Sequence, residues 1–232
     1  MTQAHSTDWA ATWNERAAQP SDFAATGRGG MDVVGFLHTV REIARSLCTS
    51  RGDRLLDIGC GTGILALALS GSVAAVHGID LSPAMIARAR INAEGCDNVS
   101  FSVASISAPG IERGRYNKVL AYSVLQYLAG EVEVAAALQT LQEILPAGGI
   151  ALYGANPDPD RLHLYVEQIR SSGRSEADQR RSLDVLERIL AVRPQDLEEM
   201  ARAAGLRPKI RAISPRIWQH FYMFDLILHK DG

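Results

Sequence analysis

The segment Arg54-Leu55-Leu56-Asp57-Ile58 runs directly into Gly59-Cys60-Gly61-Thr62-Gly63, and no other stretch constrains the chain as strongly. A short apolar run of this kind reads as a buried strand. Three alternate glycines after it let the backbone turn sharply into a helix over 64–70. A second unit follows: 73–79 reads as a strand ending in Asp80, and Ser82-Pro83 opens a helix through Ala93, serine as cap and proline in the first turn.

The alternation continues with strands over 99–103 and 116–121, a helix over 131–145, the turn Pro146-Ala147-Gly148 and a fifth strand over 149–153. Repeated strand–helix units predict an α/β fold: a mostly parallel sheet with helices on both faces. A hairpin over 210–228, turning at Ser214-Pro215-Arg216, adds an antiparallel last strand. Upstream, apolar residues recur at three and four over 32–47, predicting a helix capped by Asp32, whereas 9–30 holds no period and reads as mostly loop. Residues 160–190 are charged and helix-like around a soft centre at Ser171-Ser172-Gly173, and a helix over 194–204 stops at Gly205. The expected organisation is one domain over 1–232, with an N-terminal helical lid or substrate segment over 1–48 and a short helical cap over 157–192.

Charge and cysteine content narrow the function classes. The 232 residues carry 24 Lys and Arg against 26 Asp and Glu, a net charge of −2, so no nucleic-acid partner is expected. Cys48, Cys60 and Cys96 show no C-x-x-C spacing, which predicts free thiols in a reducing compartment. The polar start from Met1 to Arg16 lacks a signal-peptide pattern, and the apolar stretch over 64–69 is far shorter than the roughly 20 residues a spanning helix needs. A cytoplasmic protein, monomer or homodimer, without membrane contact is expected. His5, His38, His77, His163, His220 and His229 form no ligand spacing, so no metal is expected either.

Glycines after a strand bring backbone N–H groups against a ligand, and the following helix N-terminus favours negative charge. Asp80, ending the next strand, stands where a carboxylate can accept both hydroxyls of a ribose. A nicotinamide dinucleotide fits the G-x-G-x-x-A register of Gly61 to Ala66 on paper, but leaves Asp57 and Gly59 unexplained; a phosphate-binding Walker loop lacks its Lys-Ser or Lys-Thr.

Read together, Leu55 to Gly63 and Gly78-Ile79-Asp80-Leu81-Ser82-Pro83-Ala84-Met85 resemble the first two signatures of class I S-adenosylmethionine-dependent methyltransferases, over roughly 51–153. The resemblance implies a Rossmann-like seven-stranded sheet and S-adenosyl-L-methionine as cofactor. It assigns the methionine part to Asp57, Gly59, Cys60, Gly61 and Gly63, the ribose to Asp80, and the adenine to Leu81 and Met85. Ser105 stands where the family often has an acidic adenine contact, leaving Ala104 and Ile106 to contribute backbone groups. Tyr122 follows the fourth strand at the active-site loop.

Methyl transfer from a sulfonium asks a protein mainly to align two molecules and exclude water, with a general base where the acceptor must lose a proton. Trp13, Arg28, Tyr127, Tyr153 and His163 are the expected substrate contacts, with Trp9 and Phe23 also in the lid. His163 is the expected base, His220 its competitor, and Tyr122 a hydrogen-bond donor. With no appended docking domain, the chain is expected to methylate an O or N atom of a small metabolite or natural-product intermediate. A tRNA- or protein-modifying enzyme and a non-catalytic binding protein are the alternatives.

Overall fold

The structure, a computed structural model, describes residues 8–28 and 31–232. The start over 1–7, with His5, lies outside the described residues. Among them, strands β1 (Arg54–Ile58), β2 (Ala75–Asp80), β3 (Val99–Val103), β4 (Lys118–Tyr122), β5 (Ile150–Pro157), β6 (Arg207–Ala212) and β7 (Met223–His229) form one sheet in the order β3-β2-β1-β4-β5-β7-β6. Strands β1 to β5 pair in parallel, and β7 runs antiparallel to both β5 and β6.

The central strands read as unbroken apolar runs because both sheet faces are covered; all five residues of β4 are buried. Alternation sorts the side chains. Leu55, Leu120 and Leu152 pack beneath α3 (Val33–Leu47), α4 (Ile64–Ser70) and α5 (Pro83–Asn92), while Leu56, Val119 and Tyr153 pack beneath α6 (Glu131–Ile144) and α9 (Pro194–Ala203). Leu120 is 0% exposed at the middle of β4. Leu120→Ala is expected to cost about 2–5 kcal/mol of stability, read as a lower denaturant midpoint at unchanged slope.

Several edges differ from the sequence expectation. The segment over 9–30 holds two short helices, α1 (Trp9–Arg16) and α2 (Asp22–Ala25), capped by Asp8 and Ser21. They are too short to leave a period. Strand β5 continues to Pro157 through an irregularity between Tyr153 and Asn156 in its pairing with β7. The segment between β6 and β7 is longer than a simple turn and contains a 3-10 turn, Trp218–Phe221. The cap consists of α7 (Leu162–Ser171) and α8 (Glu176–Leu186), parted near the expected soft centre. No helix among the described residues is long and apolar enough to cross a membrane.

The strand order places the site. From β1 the chain goes to one side, through β2 and β3, and β4 returns on the other side of β1. The segments leaving β1 and β4 therefore diverge and open a crevice beyond their carboxyl ends.

Candidate active site

A cleft of about 800 Å³, its open mouth included, fills that crevice. Its floor is the turn after β1. Gly59 (φ +67°) and Gly61 (φ +56°) both adopt left-handed backbone and both line the cleft. A Cβ on Gly59 would sit 2.6 Å from Val124 Cγ2, and one on Gly61 2.8 Å from Thr26 Cγ2. The third glycine serves packing instead: a Cβ on Gly63 would meet the Phe101 ring at 2.7 Å, where α4 leaves the sheet.

Asp80 closes one side. Its two carboxylate oxygens accept from Gly61 N–H and Ser82 N–H, each at 2.9 Å. Each oxygen keeps a second lone pair for a ligand hydroxyl. Burial raises the Asp80 pKa, and the Ser82 and Gly61 N–H groups hold it down. Leu81, 47% exposed, and Met85, fully buried beneath it on α5, extend this wall, with Ala104 and Ile106 after β3.

The segment leaving β4 forms the other wall. Tyr122 and Tyr127 line it, with Ser123 and Val124 between them. Ser123 takes φ +60°, a strained conformation for a residue with a Cβ, and its N–H donates to Gly154 O at 2.8 Å. Burial pushes both tyrosine hydroxyls above their ordinary pKa, so they remain protonated donors at neutral pH.

The N-terminal segment lies across the top. Trp9 and Trp13 of α1 set their rings edge-on to Tyr127, at 4.8 and 5.1 Å between centroids. Asn14 Oδ1 accepts from Ser82 Oγ at 2.7 Å, and Arg88 of α5 pairs with Asp22 at 2.8 Å and donates to Ala17 O and Gln19 O. These contacts fix the lid to the helix that Asp80 precedes. Arg28, at the lid's end, places its guanidinium 5.7 Å from the Tyr122 ring centre. Among the described residues no carboxylate lies within ion-pair distance of it. Burial pulls its pKa below the ordinary arginine value, and Tyr122, Tyr127 and Asp57 hold it up.

Asp57 sits just under the floor. It is 1% exposed, and its Oδ2 has no hydrogen-bond partner. Burial raises its pKa to about 7, against the pull of Arg28 and with the push of Asp80. An unpartnered buried carboxylate below a glycine floor is suited to a cationic ligand group.

Of the residues singled out in the sequence, Gly59, Gly61, Asp80, Leu81, Met85, Ala104, Ile106, Tyr122, Trp13, Arg28 and Tyr127 converge on this cleft. Others do not. Cys60 is buried behind the glycines with its thiol pKa pushed up, and Ser105 closes a small bridge with Ala108. Tyr153 is 0% exposed on the opposite sheet face, its hydroxyl aimed at Ala137 O. His163 is exposed on α7, because Leu162, Tyr165 and Ile169 form that helix's inner face. His220 Nδ1 lies 2.9 Å from Ile217 O, and neither histidine lines the cleft. His163→Ala and His220→Ala are therefore each expected to keep turnover within about twofold of wild type from pH 6 to 9. A loss above tenfold, with cofactor affinity intact, would restore histidine to the chemistry. Thr26 and Asn14 escaped the sequence reading, since only tertiary contact brings them here.

Comparison with known proteins gives a consistent picture. Residues 55–149 match the family model described as a methyltransferase domain. The chain is 38% identical over 104 residues to the aklanonic acid methyltransferase DauC of a Streptomyces species, covering 42% of this chain and 46% of that one. It is 27% identical over 180 residues to the ubiquinone biosynthesis O-methyltransferase of Bordetella avium, covering 74% and 68% respectively. The chain thus spans about half the length of DauC. Among solved structures, magnesium protoporphyrin IX methyltransferase from Synechocystis, with bound S-adenosylhomocysteine, superposes with a TM-score of 0.65 at 19% identity over 97% of this chain and 95% of that one.

Proposed function

We propose that this chain, a member of the class I S-adenosylmethionine-dependent methyltransferase family, transfers a methyl group to an O or N atom of a small metabolite or natural-product intermediate. The observation that carries the reading is the cleft itself, in which a glycine floor, the Asp80 carboxylate and the Leu81–Met85 wall meet around one space. These residues fit the cofactor. Asp80 takes the ribose hydroxyls through its free lone pairs, while Leu81, Met85, Ala104 and Ile106 enclose the adenine. Gly59 and Gly61 admit the methionine chain, whose ammonium answers the unpartnered Asp57 oxygen. S-adenosylmethionine, when bound, supplies a methyl group on a sulfonium that its own charge has already activated.

The remaining residues prepare the acceptor. Trp9, Trp13 and Tyr127 wall off water, Tyr122 donates a hydrogen bond, and Arg28 pairs with an anionic group of the substrate. Among the described residues no histidine lines the cleft, so alignment and water exclusion carry the rate. A small acceptor suits the enclosed lid better than a macromolecule does. The cap residues Arg170, Arg174, Arg180, Arg181 and Arg188 are all exposed, and Arg181 pairs with Asp178 on its own helix. The relatives point the same way, one being named for aklanonic acid and the other for ubiquinone biosynthesis.

The test is a screen of candidate metabolites with methyl-labelled cofactor, read by mass. A product gaining one labelled methyl group supports the reading. Cofactor binding with label found only on RNA or protein acceptors would replace the small-molecule assignment.

A further inference from the structure

Behind the cleft lies a buried ionic group that the proposed reaction does not use. Asp225 on β7 is 3% exposed. Its Oδ2 meets Arg211 Nη2 of the neighbouring β6 at 2.7 Å, and the same guanidinium reaches Glu42 of α3 at 3.3 Å. Its Oδ1 accepts from the Ala155 N–H at 3.0 Å. Ala155 is the irregular point of β5: it is buried at φ +53°, a left-handed conformation that disfavours a side chain.

This irregularity leads directly to the cleft. Gly154, the preceding residue, pairs with Tyr122, and a Cβ on it would meet the Tyr122 ring at 2.6 Å. Gly154 O also accepts the Ser123 N–H at 2.8 Å, fixing the left-handed Ser123 from which Val124 reaches over Gly59. Tyr122 packs in one buried cluster with Ile43 and Leu47 of α3, the helix that Glu42 ties to Arg211. We infer that Asp225 is a positioning residue: by holding Ala155 left-handed it sets the seat of Tyr122 and the Ser123 turn, and so the shape of the cleft wall. The inference rests on the reading of this cleft as the cofactor site, but its primary readout does not.

The experiment uses full-length protein labelled with 3-fluorotyrosine, the Tyr122 resonance being assigned by Tyr122→Phe, together with calorimetric titration of S-adenosylhomocysteine. Asp225→Ala is expected to move the Tyr122 resonance and weaken S-adenosylhomocysteine about tenfold. Asp225→Asn, which loses the same charge but keeps an acceptor for the Ala155 N–H, should retain the affinity and move the resonance much less than Asp225→Ala does. The double variant Asp225→Ala with Ala155→Gly should do the same, because glycine takes the left-handed conformation unaided. If Asp225→Ala does not fold, this double variant and Asp225→Asn carry the comparison. Leu226→Ala, on the opposite face of the same strand, controls for simple loss of stability and should leave the Tyr122 resonance in place. An unmoved Tyr122 resonance in Asp225→Ala, an equal shift in Leu226→Ala, or no recovery in the variants that keep or replace the Ala155 restraint would overturn the inference. Failure of wild-type protein to bind S-adenosylhomocysteine, with the resonance behaving as expected, would instead count against the cofactor reading.

Discussion

Replacing Asp80 by alanine is expected to weaken S-adenosylmethionine by about 30- to 1,000-fold, the equivalent of about 2–4 kcal/mol. Two effects combine. The ribose loses the acceptor for both hydroxyls in a largely enclosed cleft, and the Gly61 and Ser82 N–H groups lose the carboxylate that shapes the floor and the start of α5. Asp80→Asn separates them, since an amide can accept through one oxygen only. It should fall between wild type and alanine in affinity while keeping most of the thermal stability. Equal affinity across all three proteins would remove Asp80 from the site.

Cofactor binding is also expected to be steeply pH-dependent through Asp57. Its folded pKa of about 7 lies above the ordinary carboxylate value near 4, because burial penalises its charge more than Arg28 relieves it. Between about pH 4 and 7 the native protein therefore holds a proton that the unfolded chain has lost. Stability contributed by this group falls as pH rises through that window. Asp57→Asn should remove this dependence and be relatively more stable than wild type at pH 8. Binding of a cation beside Asp57 favours its carboxylate form, so below pH 7 association should release a proton. The affinity should rise by up to about tenfold per pH unit until pH 7 and then level off. Calorimetry at pH 6 in buffers of different ionisation enthalpy reads the proton directly; Asp57→Asn should release none from this group. A proton count unaffected by that substitution would show that Asp57 does not sense the ligand.

The parts of this molecule legible in sequence are those governed by local rules. Strand β1, helix α4 and strand β3 stand where their apolar runs and glycine breaks put them, and Ser82 caps α5 by accepting the Met85 N–H at 3.1 Å. The glycine floor and Asp80 were visible because backbone freedom and strand ends fix their geometry. What stayed hidden depends on distant partners. Gly154-Ala155-Asn156-Pro157 has the composition of a loop, yet it continues β5 because β7 and Asp225 lie alongside. Tyr153 and Tyr122 look equivalent at neighbouring strand ends, but register puts Tyr122 opposite Gly154 and turns Tyr153 to the other face. His163 stands exposed on α7, and the spacing of Leu162, Tyr165 and Ile169 defines an inner face that excludes it. The lid helices gave no period because each is short and held by caps and by Arg88, 60 or more residues away in the chain.

What the glycine-floored cleft accepts is measured directly by calorimetric titration of the purified chain with S-adenosylmethionine, S-adenosylhomocysteine and a nicotinamide dinucleotide in turn. Saturable one-to-one binding of the first two, lost in Asp80→Ala, with no heat from the dinucleotide, is the expected result. Binding of the dinucleotide in an Asp80-dependent manner, or no binding of either sulfur nucleoside, would contradict it.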